Sequence, residues 1–223
     1  MAQAPFPILY EDNHLLVIDK PAQLATMGVR PPRESALELA RKYIKEKYRK
    51  PGNVYLGVVS RLDAPATGIL VFARTSKAAA RLTAQYRNRK VTKIYHILVE
   101  GALDAPQGKF EDWVRKDERH RRMHVVTAEA EESRQARLSY RVLRTLKKFQ
   151  LVEVELETGR KHQIRLQFSS RGHPVVGDRK YNARQTLHQG IALHARRLEL
   201  MHPVRQEKMT WDADVPVAWQ PFL

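Results

Sequence analysis

No cysteine occurs among the 223 residues. That absence removes disulfide scaffolds, thiolate zinc sites, iron–sulfur clusters and cysteine nucleophiles together. A chain without thiols fits a reducing, cytoplasmic compartment. Long hydrophobic runs are missing as well: stretches such as Ile69 to Ala73 fall far short of the about 20 apolar residues that a bilayer span needs. Met1 to Tyr10 has no basic segment followed by an apolar one, so neither a signal peptide nor a membrane protein is expected. Acidic charge is scarce: 24 Asp+Glu stand against 40 Lys+Arg, a net charge of +16. Such an excess predicts a polyanionic partner, held by phosphate neutralisation and counterion release. Charge alone separates neither DNA from RNA nor binding from chemistry.

What is present suffices for a packed core. Hydrophobic residues make up 43% of the chain and are spread along it, and the length suits one large domain. Ile8 to Tyr10 and Leu15 to Asp19, separated by turn-forming residues, predict a hairpin. Ser35 is a candidate N-cap for a helix to about Lys47. Strands are predicted at Tyr55 to Val59 and Gly68 to Ala73, which leaves Ser60 to Thr67 as a loop between them. Ser76 caps a predicted helix to about Arg89, with Lys77, Arg81 and Arg87 facing out. From Ala64 to Val99 there is no acidic residue but seven basic ones, so this helix is a candidate phosphate track. Further strands are expected at Ile94 to Val99, Arg121 to Val126, Ala136 to Leu146 and Gln150 to Glu157, then a helix from Arg160 to Ser170. A last pair, His194 to Leu200 and Glu207 to Thr210, closes the chain. The fold class expected is α+β: a mainly antiparallel mixed β-sheet with flanking helices, in a single catalytic domain over 1–223 with no separate N-terminal RNA-binding domain.

Common catalytic signatures are absent, including the G-x-x-x-x-G-K-[ST] phosphate loop, the G-x-S-x-G elbow and H-E-x-x-H. His120 and His124 have a spacing that suits a metal, but the neighbouring arginines would repel a cation, so no metal is expected. What remains is Asp63. An aspartate in a loop between strands commonly serves as a turn or capping residue, yet its neighbours form a pattern. Arg61-Leu62-Asp63 leads to Thr67-Gly68, Lys93-Ile94-Tyr95 follows, and Gly159-Arg160-Lys161-His162-Gln163-Ile164-Arg165 comes later.

These three segments resemble the R-L-D, K-x-Y and G-R-x-H-Q-[IL]-R motifs of the RluA-type pseudouridine synthases. Leu15 to Pro21, Gly172 to Asp178, His194-Ala195 and His202-Pro203 are similar to further segments of that family, so the resemblance spans roughly residues 8 to 215. It implies an isomerase that converts uridine to pseudouridine in structured RNA, ribosomal or transfer RNA, without cofactor or metal; separately, a monomer is expected. It also implies roles. Asp63 is the nucleophile, Arg165 its ion-pair partner, Tyr95 the residue that packs on the uracil, and Arg61 the residue that fills the space of the expelled nucleotide. Thr67, Lys93, Arg160, His162, Gln163 and Ile164 fall in the motifs as substrate-binding positions. Two departures stand out: Ser60 replaces the family's usual His, and Ala66-Thr67 replaces Thr-Ser. The stretch Phe110 to Val126, with Trp113, Lys116, Arg119, Arg121 and Arg122, matches no family motif and reads either as an RNA-reading insertion or as a solvated hairpin. A non-catalytic RNA-binding or ribosome-assembly factor on the same fold is the alternative. A DNA-binding regulator has only the charge in its favour.

Overall fold

In the computed structural model, residues 4–120 and 122–223 are described. The elements run β1 (Ile8–Glu11), β2 (Leu15–Lys20), α1 (Ala36–Lys47), β3 (Gly57–Val58), β4 (Thr67–Ala73), α2 (Ser76–Arg87) and β5 (Thr92–Glu100). They continue with β6 (Gln107–Asp117), β7 (Arg122–Val126), β8 (Arg134–Thr145), β9 (Phe149–Leu156), α3 (Gln163–Ser169), β10 (Leu193–Met201) and β11 (Lys208–Asp212). Sheet with few flanking helices is the fold class the sequence predicts. The chain divides into two compact units, Met1–Thr92 with Ala195–Asp214, and Lys93–His194 with Val215–Leu223. No helix among the described residues is long and apolar enough to cross a membrane.

In the first unit β2 lies between β1 and β4, β10 follows β4, β3 joins β4, and β11 joins β10. Asp12 closes the β1–β2 hairpin: its Oδ1 accepts the backbone N–H groups of His14 and Leu15, each at 2.7 Å. The two central strands pair antiparallel from Leu15↔Ala73 to Lys20↔Gly68, and every residue of β4 is buried. Helix α1 packs Leu37, Ala40, Tyr43 and Ile44 against Leu16, Ile18, Leu70 and Phe72. Its start is a capping box, in which Ser35 and Glu38 satisfy each other's backbone N–H groups. The predicted strand Tyr55 to Val59 shrinks to Gly57–Val58. Opposite β2, β4 is followed by β10 in the sheet, and β3 meets only Phe72 and Ala73. The cap of α2 also differs from expectation. Thr75, not Ser76, is extended and accepts the Ala78 N–H at 3.1 Å, which places Ala78 and Leu82 in the core.

In the second unit the strands lie in the order β5, β9, β8, β6, β7, and each of these pairs is antiparallel. The sequence pattern does not announce strand β6, because Gly108 and Asp112 interrupt the apolar face of Phe110 and Val114. The β6–β7 hairpin is no free insertion: Val114 and Met123 bury with Ala136, Leu166 and Tyr181. Arg121, which opens the predicted strand here, lies outside the described residues. Helix α3 sets Phe168 against Phe110 and Tyr140, with ring centroids 5.0 and 5.8 Å apart. It begins at Gln163 rather than Arg160, since His162 adopts a left-handed φ of 53° that the helix cannot include.

Candidate active site

Asp63 sits in the loop that joins β3 to β4, half-buried between the buried Leu62 and Ala66. The loop is held from two sides within the first unit. Lys20, fully buried at the end of β2, points its ammonium at four backbone carbonyls: Ala66 at 2.6 Å, Pro21 and Leu24 at 2.8 Å, and Ala64 at 3.3 Å. Burial pulls the Lys20 pKa down to about 7, and the Asp63 and Asp19 carboxylates act against that pull. On the other side the Thr26 hydroxyl donates to the Leu62 carbonyl at 2.8 Å and accepts the Leu62 N–H at 3.0 Å. The residues on both sides of Asp63 are therefore fixed by buried hydrogen bonds. The Asp63 carbonyl also accepts the Ala66 N–H at 3.0 Å, closing a tight turn.

The rest of the first-unit constellation follows from this frame. Thr67 is buried at the start of β4. Gly68 has φ of 105°, and a Cβ there would lie 2.4 Å from the Ala195 carbonyl oxygen, so only glycine allows β10 this close. Asp19 accepts the Gly68 N–H; burial raises its pKa against that bond. Arg61 is exposed, and no carboxylate among the described residues pairs with it. Ser60, at the position where the family motif carries His, hydrogen-bonds the Tyr86 phenol of α2, whose pKa burial pushes up to about 12 against that bond.

The second unit carries the other motifs. Lys93 and Tyr95 are half-buried on β5, two apart and so on one face of the strand. The Lys93 ammonium lies 3.9 Å from where a Gly159 Cβ would stand, which brings the K-x-Y segment against the start of the G-R-x-H-Q-I-R segment. Gln163 organises the turn before α3. Its carbonyl oxygen accepts from Thr158 Oγ1 at 2.8 Å and the Arg160 N–H at 2.9 Å, while its amide donates to the Arg137 carbonyl. Arg160 Nε donates to the Gln135 carbonyl at 2.9 Å, and Ile164 is buried. His162 Nδ1 meets the Tyr181 hydroxyl at 2.9 Å, and that hydroxyl accepts the Met123 N–H.

Arg165 is buried, and its Nε and a terminal nitrogen clasp both oxygens of Asp178 at 2.6 and 2.9 Å. Its guanidinium carbon lies 5.0 Å from the centre of the Tyr181 ring. A bidentate carboxylate and an aromatic face fix the plane of this cation before any substrate arrives. No group of three or more His, Asp or Glu among the described residues is placed to hold a metal ion.

Sequence reasoning did not single out Thr26, Tyr86, Asp178 or Tyr181 as members of these constellations. Lys20 and Asp178 fall inside segments that resemble the family, and a lysine closing an apolar strand is itself a signal. Thr26 and Tyr86 leave no comparable mark in the chain.

Residues 14–170, which contain all three motifs, match the family model described as RNA pseudouridylate synthase. Ribosomal large subunit pseudouridine synthase D of Pseudomonas aeruginosa is 37% identical over 230 residues, covering 94% of this chain and 68% of the relative. An uncharacterized RNA pseudouridine synthase of Bacillus subtilis is 33% identical over 212 residues, covering 94% of this chain and 68% of the relative. In fold, the chain superposes on human RNA pseudouridylate synthase domain containing 4 with a TM-score of 0.79 at 24% identity, covering 96% of this chain and 92% of that one. With the matched segment running from the first hairpin to the end of α3, the chain belongs to the RNA pseudouridylate synthase family, isomerases that convert uridine in RNA to pseudouridine.

Proposed function

We propose that this chain acts on large-subunit ribosomal RNA, with Asp63 as its nucleophile. The observation that carries the assignment of Asp63 is its frame: Thr26 grips Leu62 and Lys20 grips the carbonyls of Ala64 and Ala66, so one carboxylate is presented on a loop that cannot drift. A preset carboxylate serves either known kind of step, addition to an electrophilic carbon or removal of a proton from the sugar. In the reaction the N1–C1′ bond breaks, the uracil turns, a C5–C1′ bond forms, and C5 loses the proton that N1 gains. Nothing is oxidised or reduced.

On the family resemblance, Arg165 is the cation assigned to Asp63, and Asp178 holds its plane. Tyr95 is the ring assigned to the uracil, and stacking on an unpaired base is the usual way a protein reads RNA at such a point. Arg61, exposed two residues before the nucleophile, is the side chain assigned to the space vacated when the uridine leaves its stack. Thr67, Lys93, Arg160, His162, Gln163 and Ile164 are assigned to substrate binding in this reading, and Gln163 also holds the turn that carries Arg160 and His162. The names of the curated relatives favour ribosomal over transfer RNA. The expected setting is the cytoplasm, with the chain acting as a monomer.

The test is to incubate purified protein with protein-free large-subunit ribosomal RNA and, separately, with total transfer RNA, and to map pseudouridine at single-nucleotide resolution. New pseudouridine in the ribosomal RNA alone is the expected result. Modification confined to transfer RNA overturns the substrate assignment, and modification of neither overturns the reading as a whole.

A further inference from the structure

Helix α2 differs from α1 in how its charge is balanced. On α1, Lys42 pairs with Glu34 at 2.5 Å and Lys47 with Glu11 at 2.8 Å, and Glu38 and Glu46 lie on the helix itself. On α2 and its exit, Lys77, Arg81, Arg87, Arg89 and Lys90 are all exposed, and no ion pair forms with any of them among the described residues. The nearest acidic residues in sequence are Asp63 and Glu100, far to either side. Lys77 and Arg81 stand one turn apart, and the row from Lys77 to Arg87 runs about 15 Å at the helical rise. A row of cations with no internal counter-charge is the pattern that gathers a phosphate chain.

The helix is also firmly seated, and seated against the segment that carries Asp63. Its inner face buries Ala78 and Leu82. Gly57 of β3 packs so near that a Cβ there would lie 2.8 Å from Ala79 Cβ. Arg81 donates to the Pro203 carbonyl at 2.7 Å, and Gln85 bonds both the carbonyl and the N–H of Met201 at 2.8 and 2.9 Å. Such a seat fixes the helix backbone that carries these cations, which lowers the ordering cost of binding.

We propose that the exposed face of α2 and its exit grips the sugar–phosphate backbone of the RNA outside the target nucleotide, through Lys77, Arg81, Arg87, Arg89 and Lys90. The inference rests on the reading of the chain as an RNA-modifying enzyme and deepens it: affinity for the flanking RNA is assigned to a surface separate from the groups that handle the uridine. Arg81 has the second task of holding Pro203, so the test leaves it alone.

The experiment compares wild type, the neutral triple variant Lys77→Gln/Arg87→Gln/Lys90→Gln, and the charge-keeping triple Lys77→Arg/Arg87→Lys/Lys90→Arg. Each is titrated with in vitro transcribed large-subunit ribosomal RNA over a series of KCl concentrations, and kcat and KM for pseudouridine formation are measured alongside melting temperature. Removing three phosphate contacts is expected to lower the slope of log affinity against log salt by about 2 to 3 and to weaken binding by about tenfold or more. The loss is read in KM rather than kcat, and the charge-keeping triple restores it. An unchanged slope and KM in the neutral triple overturn the proposal, as they would if the row served an acidic protein instead. An equal loss in the charge-keeping triple overturns it too, since shape rather than charge would then be responsible. If wild type forms no pseudouridine in any RNA, the enzymatic reading fails, and the salt slope still decides whether α2 binds phosphates.

Discussion

Lys20 Nζ lies 2.6 Å from the Ala66 carbonyl oxygen and joins the end of β2 to the loop that carries Asp63. The same ammonium reaches Pro21, Leu24 and Ala64, so one charge ties the turn after β2 to the turn before β4. Lys20→Met keeps the length of the side chain and removes its donors. The expected result is a fall in kcat that exceeds any rise in KM, because the loop is freed while the RNA-binding cations stay. A pH dependence accompanies it. With a folded pKa of about 7 against an ordinary 10.5, the unfolded chain binds more protons between those values, so this group makes stability rise with pH across that window. Urea unfolding from pH 7 upward should show that rise in wild type and its loss in Lys20→Met.

Thr26 offers a cleaner substitution, since its hydroxyl both donates to and accepts from Leu62, next to Asp63. Thr26→Val preserves shape and leaves two buried backbone groups unpaired, which costs about 1 to 3 kcal/mol of stability for each such group. Thr26→Ser restores the hydroxyl. Denaturant unfolding and single-turnover kinetics should show stability and kcat falling in the valine variant and recovering in the serine one. Equal behaviour of the two variants would refute the positioning role.

The Arg165–Asp178 pair predicts a large asymmetry. Asp178→Ala removes both contacts that hold the plane of the buried guanidinium and should lower stability, measured by urea unfolding. Arg165→Lys keeps the charge but loses the two-pronged contact and the flat face toward Tyr181. It should retain much of the stability and lose much of the activity.

Asp12 and His202 show why an aspartate beside a histidine need not be catalytic. His202 is fully buried, its Nε2 is 2.9 Å from Asp12 Oδ2, and its Nδ1 accepts the N–H groups of Val204 and Arg205. Both nitrogens are thus committed to structure. Burial works to raise the Asp12 pKa, but the N–H groups of His14 and Leu15, the Tyr10 hydroxyl and His202 outweigh it and hold the pKa at about 2. A depressed carboxylate stabilises the fold fully above its ordinary value of 3.8 and loses that effect as pH falls through about 2. Asp12→Asn should therefore lower stability at neutral pH and flatten this part of the acid limb of a pH–stability profile.

Local chemistry accounts for what was legible in the chain. Turn residues around Asp12 and the Ser35–Glu38 box announce β1, β2 and α1, because their partners lie within a few positions. Thr75 and Ser76 are both competent caps, and only the backbone's extended conformation at Thr75 decides between them. Strand β6 is hidden because Asp112 faces inward, where Arg171 and Gln167 satisfy it across more than fifty positions of sequence. The same distance in sequence conceals Thr26, 36 positions from the leucine it grips. Motifs name the residues that react; the groups that hold them still are scattered, and packing alone brings them together.

The role proposed for Asp63, that its carboxylate carries the reaction, has a direct test. Asp63→Asn replaces that carboxylate by an amide of nearly the same shape and leaves the α2 cations and the Lys20 and Thr26 contacts in place. Incubated with large-subunit ribosomal RNA and assayed by pseudouridine mapping, the variant should bind the RNA within a few-fold of wild type and form no pseudouridine. Pseudouridine formation at the wild-type rate by Asp63→Asn would contradict the account.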